Sequence, residues 1–127
     1  DETQLLNGFF QLEAKSWRWT GRKFAVSLGP PLGGRLKGAK LELRCAVADT
    51  IAAQLLPLTV TATVAGHRLE SQKLTASGQQ TVSFAVPKEA LVDEAVIVEF
   101  ETDKVARIGD ESRELGLIVV SIGLSEP

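Results

Sequence analysis

Methionine and tyrosine are absent from this 127-residue chain, and cysteine and histidine occur once each. Each shortage removes a class of chemistry. A single cysteine, Cys45, excludes an internal disulfide and leaves the compartment open. A single histidine, His67, leaves no His–Glu pair at metal-ligand spacing and no Ser/His/Asp order with a supporting motif. No glycine loop of the phosphate-cradling kind precedes a helix. No apolar run approaches the roughly 18 residues of a membrane-spanning helix. The 14 basic and 16 acidic residues are scattered, for a net charge of −2, so no basic stripe is available to displace counterions from a nucleic acid. The opening DETQLLNGFF lacks a basic head followed by an apolar run, so no secretion leader is expected there. A start at Asp1 without any methionine leads us to expect a processed product or a piece of something longer.

What the chain has in abundance is alternation. In LTVTATVAG, Leu58, Val60, Ala62 and Val64 share one face and Thr59, Thr61 and Thr63 the other, the pattern of a half-buried strand. QTVSFAVP places Val82, Phe84 and Val86 inward before Pro87 ends the run, and AVIVEFET sets Val96, Val98 and Phe100 against Glu99 and Glu101. GLIVVSIGL assigns Ile118, Val120, Ile122 and Leu124 to one face and Leu117, Val119 and Ser121 to the other. KFAVSL, LELRCAV and NGFFQLE complete the strands, and Cys45 falls in phase with Leu41, Leu43 and Val47 as a small buried thiol. Ala65-Gly66 reads as a tight hairpin turn because Gly66 can take positive φ. GPPLGGRLKG (29–38) reads as a surface loop free of regular structure. Helix is confined to a turn or two in TIAAQLL (50–56) and PKEALVDEA (87–95), the latter with Pro87 at its start. The expectation is one all-β domain over 1–127: an antiparallel two-sheet β-sandwich of jelly-roll topology with at most one or two short helical turns.

Two segments carry a resemblance. GFFQLEAKSWRWTGRKFAVSL near the start and ESRELGLIVVSIGL at the end resemble the β-jelly-roll, galactose-binding-like accessory domains of bacterial glycosyltransferase and polysaccharide-related proteins. The match runs through Gly8, Phe9, Glu13, Trp17, Arg18, Trp19 and Thr20, and through Arg113, Glu114, Leu115 and Gly116. The resemblance implies the fold first. It further implies that the two motifs lie together, with the strand at 117–124 paired with, or facing, the segment at 8–13.

On an extended backbone Trp17 and Trp19 share a face, and their indoles would form one apolar surface on which a sugar can stack. Arg18, Arg113 and Glu114 would then bond its hydroxyls. The bland alternative is that the indoles fill core. Glu114 shares parity with Ile118 and Val120, so it is expected inward, paired with Arg18 or another arginine near the amino-terminal motif, unless a bulge at Gly116 changes the phase. Asp110, Glu111 and Glu114 form a local acidic cluster with no catalytic framework around it. Asp103, Asp110 and Glu111 are weighed as calcium ligands and assigned to a solvated loop. His67 is assigned to an exposed turn. The expected function is therefore a non-catalytic carbohydrate-binding or carbohydrate-enzyme accessory module, with no metal and no cofactor. Its partners would be an oligosaccharide or polysaccharide. The competing expectation is a structural or protein-interaction sandwich that positions a neighbouring enzyme domain.

Overall fold

A computed structural model describes residues 4–13, 17–107 and 114–127, with side chains for 19–107 and 114–127. The seven expected strands form, as β1 (Gln4–Glu13), β2 (Trp17–Leu28), β3 (Ala39–Val47), β4 (Leu58–Val64), β7 (Gly78–Val86), β8 (Val96–Thr102) and β9 (Ile118–Ser125), and two short strands not expected join them, β5 (His67–Arg68) and β6 (Gln72–Leu74). Among the described residues helix is limited to α1 (Gly34–Lys37), α2 (Ala52–Leu55) and a 3₁₀ turn at Lys88–Ala90. Of these, α1 corrects the reading of 29–38 as loop throughout. Its four residues follow Gly33, which takes the left-handed conformation at φ 82°.

All the strand pairs are antiparallel, and hydrogen bonds join them into one nine-stranded sheet. Its main path runs β5-β4-β8-β2-β9-β3-β7, with β1 on β2 and β6 on β4. The sheet curls into a half-barrel. Phe84 of β7 and Phe100 of β8 lie far apart along that path, yet their ring centroids are 6.2 Å apart across the core. Phe24 stacks on Phe100 at 4.9 Å with the rings 16° from parallel. The inward rows of β3 and β4 are buried throughout, including Leu41, Leu43, Cys45 and Val47 on β3, and Leu58, Val60, Ala62 and Val64 on β4.

The curl is organised by β2. Its carboxyl half pairs with β8 from Leu28↔Val96 to Lys23↔Glu101, and its amino half pairs with β9 through Trp19↔Ile118 and Arg18↔Val119. Both partners run antiparallel to β2, so β8 and β9 lie end to end along one edge, with β1 along the other. Between Thr20 and Ala25, five steps of β2 answer the two from Asn7 to Phe9 of β1, a bulge that bends β2 where its partner changes. The two buried polar side chains among the described residues, Thr20 and Thr102, sit at this change of partner. Thr20 exchanges four hydrogen bonds with 116–117. Its N–H donates to the Leu117 carbonyl (2.9 Å) and its carbonyl accepts from Gly116 (2.7 Å). Its hydroxyl donates to the Leu117 carbonyl (3.3 Å) and accepts from the Leu117 N–H (3.2 Å). Gly116 keeps this approach close, because a Cβ there would lie 3.0 Å from the Gly21 carbonyl oxygen and the β2 backbone would have to give by a few tenths of an ångström. Thr102 donates towards the carbonyls of Lys104 (3.1 Å) and Arg22 (3.4 Å).

Two expectations about β9 are corrected. First, β9 pairs with β2 and not with the segment at 8–13, which lies one strand further out because the local hairpin places β1 against β2. Second, the inward row changes phase along the strand. Leu124 opposes Leu41 and Ile122 opposes Leu43, but Arg44↔Ser121 is followed by Cys45↔Val119, leaving Val120 as the extra residue of a bulge. Leu117 and Val119 are therefore buried, whereas Ile118 and Val120 are half-exposed.

The Ala65-Gly66 hairpin is as expected, with φ of 48° and 84°, the two positive values that a type I′ turn demands. Asparagine tolerates this region better than alanine, so Ala65→Asn should stabilise the domain by about 0.5–1 kcal/mol in a denaturant titration. Thr20→Val keeps the shape but leaves the buried Leu117 N–H unpaired, and should cost about 1–3 kcal/mol in the same assay.

Burial pushes the Cys45 thiol from an ordinary 9.0 up to about 12. The folded state thus holds the proton more tightly. This contribution is complete below pH 9.0 and is lost as pH rises towards 12. The stability of the wild-type chain should fall more steeply over that interval than that of Cys45→Ala, and the thiol should resist aromatic disulfide reagents until unfolding.

Candidate functional site

Trp19, the first of the proposed site residues whose side chain is described, is half-buried and packs against the core cluster. It anchors the amino half of β2 rather than standing in solvent as a platform. Trp17 and Arg18 lie on the same strand, opposite Glu13 and Leu12 of β1, and their side chains are outside the described residues. Arg113, Asp110 and Glu111 are outside the described residues altogether.

Glu114 does not face inward. Because the bulge at Val120 shifts the phase, Leu115 and Leu117 take the buried positions and Glu114 projects outward. Its Oε2 accepts from Arg107 Nη2 at 3.2 Å, an ion pair in which the two side chains remain 53% and 60% exposed. Among the described residues its partner is Arg107 and not an arginine of the amino-terminal motif, and the Arg18 side chain lies outside those residues. Between β8 and β9 the described stretches of chain meet at one bridge. There Ala106 and Leu115 exchange backbone hydrogen bonds of 2.8 and 2.7 Å. The side-chain amide of Gln54 clasps Arg107, donating to its carbonyl (3.1 Å) and accepting from its N–H (3.3 Å).

Asp103 is committed to structure: its Oδ1 accepts from the Thr59 N–H at 2.8 Å, extending the β4–β8 ladder by one step. Lys104 Nζ donates to the Pro57 carbonyl at 2.7 Å. Among the described residues no group of three or more His, Cys, Asp or Glu side chains is placed to hold a metal ion. His67 is exposed beside the hairpin turn, as expected.

The arrangement best suited to a ligand lies elsewhere, on the outer face of β2, β8, β4 and β5. Register builds it in two rows. Lys23, Glu101 and Thr61 stand side by side, and next to them Ala25, Glu99, Thr63 and Arg68. Together they line a cavity of about 330 Å³. Ala25 is buried and forms a small floor, while Glu99, Glu101, Lys23 and Arg68 are exposed around it. Cross-strand neighbours on such a face have Cβ atoms roughly 4.5–5.5 Å apart. Even so, none of these four charges makes an ion pair or a side-chain hydrogen bond within the described residues. The only side-chain bond at the rim joins the Thr61 and Ser71 hydroxyls at 3.1 Å. The trough therefore offers two carboxylate acceptors, two cationic donors and two threonine hydroxyls, with no net charge.

Alternation in AVIVEFET and LTVTATV assigns Glu99, Glu101, Thr61 and Thr63 to outward faces. Only strand adjacency gathers them with Lys23 and Arg68, so no local motif marks the site.

An exposed ion pair contributes little, so Glu114→Ala should change stability by no more than about 1 kcal/mol in thermal or denaturant unfolding. Comparison with known protein families finds no family model that matches the chain, and comparison with curated proteins finds no matching relative.

Proposed function

We propose that this domain is a non-catalytic carbohydrate-binding or carbohydrate-enzyme accessory module whose ligand lies in the trough on β2, β8, β4 and β5. One observation carries the reading: four charges without a side-chain partner among the described residues, and two hydroxyls, ring a small alanine floor. A neutral polyol suits this donor–acceptor mixture, since carboxylates accept from hydroxyls, ammonium and guanidinium donate to them, and threonine does both. The cavity's roughly 330 Å³ is at the small end of ligand sites and has room for one or two sugar rings. Glu99 and Glu101 project side by side from one strand. Glycoside hydrolysis needs carboxylates on either side of the scissile bond, so this pair suits holding hydroxyls instead. The resemblance to galactose-binding-like accessory domains adds to the reading, and a jelly-roll derivation of the curled sheet belongs to the same proposal.

Titration of the isotopically labelled domain with neutral oligosaccharides at millimolar concentration should shift amide resonances of β8, β2 and β4. Glu99→Gln and Glu101→Gln should each weaken binding about tenfold or more without lowering the melting temperature appreciably. Indole fluorescence should stay nearly constant, because Trp19 lies outside the trough. A strong indole response with β8 unperturbed would move the site to Trp17–Thr20. A flat response to all glycans would favour the scaffold reading.

A further inference from the structure

Four large apolar side chains are exposed among the described residues, and three of them collect at one pole of the domain. Leu32 is 96% exposed and Leu36 79% exposed, on the loop and helix that follow β2, and Val92, 58% exposed, follows the 3₁₀ turn at Lys88–Ala90. The two segments are packed on each other: the position a Cβ would take on Gly34 is 3.3 Å from Leu91 Cδ1. Between them lies an open cavity of about 520 Å³ walled by Pro31, Leu32 and Leu36 on one side and by Asp93 and Glu94 on the other. Exposing leucine to this degree opposes the hydrophobic effect, and a cluster of such residues marks a surface that is covered in use.

The charges at the rim indicate what covers it. Arg35 and Lys37 stand on α1, while Asp93 and Glu94 stand on the facing loop. Arg35 lines the same cavity as Asp93 and Glu94, yet no ion pair joins them. Lys88 and Glu89 add one charge of each sign, so the pole carries three positive and three negative side chains. A rim without net charge gives an anionic lipid surface nothing to attract it. It does suit a two-fold axis. In an isologous pair the basic flank of one protomer meets the acidic flank of its partner, and the same contact is made twice. The leucines of both copies then meet at the centre, apolar inside and charged at the rim, which is the usual anatomy of a protein interface.

We propose that the pole formed by Leu32, Leu36, Val92 and the opposed charges of Arg35 and Glu94 is a homodimer interface, with a second copy of this chain as its occupant. It lies on a different surface from the trough on β8, and its test is independent of any glycan.

Sedimentation velocity of the full 127-residue chain from 5 to about 500 μM should show a reversible monomer–dimer equilibrium. Leu36→Asp should abolish the dimer while leaving the melting temperature of the monomer unchanged, since the side chain contributes little to the core. Arg35→Glu and Glu94→Arg should each weaken association about tenfold, and the two together should restore most of it. A chain that remains monomeric at the highest concentration overturns the proposal. So does a dimer indifferent to Leu36→Asp. Co-sedimentation with phosphatidylcholine–phosphatidylserine vesicles that is lost in Leu32→Asp would overturn it too, by assigning the pole to lipid.

Discussion

The hand-over of β2 from β8 to β9 is the constraint on which the rest of the molecule depends. A strand that pairs first with one partner and then with another along the same edge must leave a gap in the ladder between them. Backbone groups at such a gap need partners other than the ladder. Thr20 fills the gap from the side of β9, where its hydroxyl serves the Leu117 N–H and carbonyl together. Thr102 fills it from the side of β8. Gly116 lets the returning chain approach the β2 backbone closely enough for these bonds to form. With the seam closed, the β9-β3-β7 half can fold over the β8-β4 half, and Phe84 can reach Phe100.

The same seam decides what the surface offers. β8 stops at Thr102, and the described chain that follows it and precedes β9 is pinned by the Ala106–Leu115 bridge. Asp103, Lys104 and Arg107 are used to hold it in place. Asp103 and Glu114 are thus paired within the fold, whereas Glu99 and Glu101 in the middle of β8 have no side-chain partner among the described residues. Glu99 and Glu101 are flanked on both sides by strands that carry only small or oppositely charged outward residues, and that is why a trough forms over them.

Strand content was legible because period-2 alternation reports burial on one face, and the inward rows of β3, β4, β7 and β8 emerge as read. Cys45, His67 and the Ala65-Gly66 turn were legible for equally local reasons. The last strand was not. A bulge adds one residue without any change in composition, so the parity of Ile118 and Val120 gave no warning that Val120 would sit out of register. That single residue turned Glu114 from an expected inward charge into an exposed partner of Arg107. The expected indole pair fared differently at its described member. Trp19 is drawn half inward because a chain with five phenylalanines and no tyrosine has few large side chains with which to fill its core.

By itself the sequence determined that the chain is all-β, where most of its strands and turns lie, and which residues of most strands face the core. These follow from interactions among near neighbours along the chain. It did not determine that the strands join as one curled sheet, that β8 and β9 share an edge of β2, or that Lys23, Arg68, Glu99 and Glu101 ring one cavity. Those facts depend on which distant strands become neighbours, and pairing is chosen by the packing of the whole core. The alternation that makes each strand recognisable is nearly the same in all of them, so it cannot specify a partner. Only the folded arrangement, with its two threonines at the seam, does so.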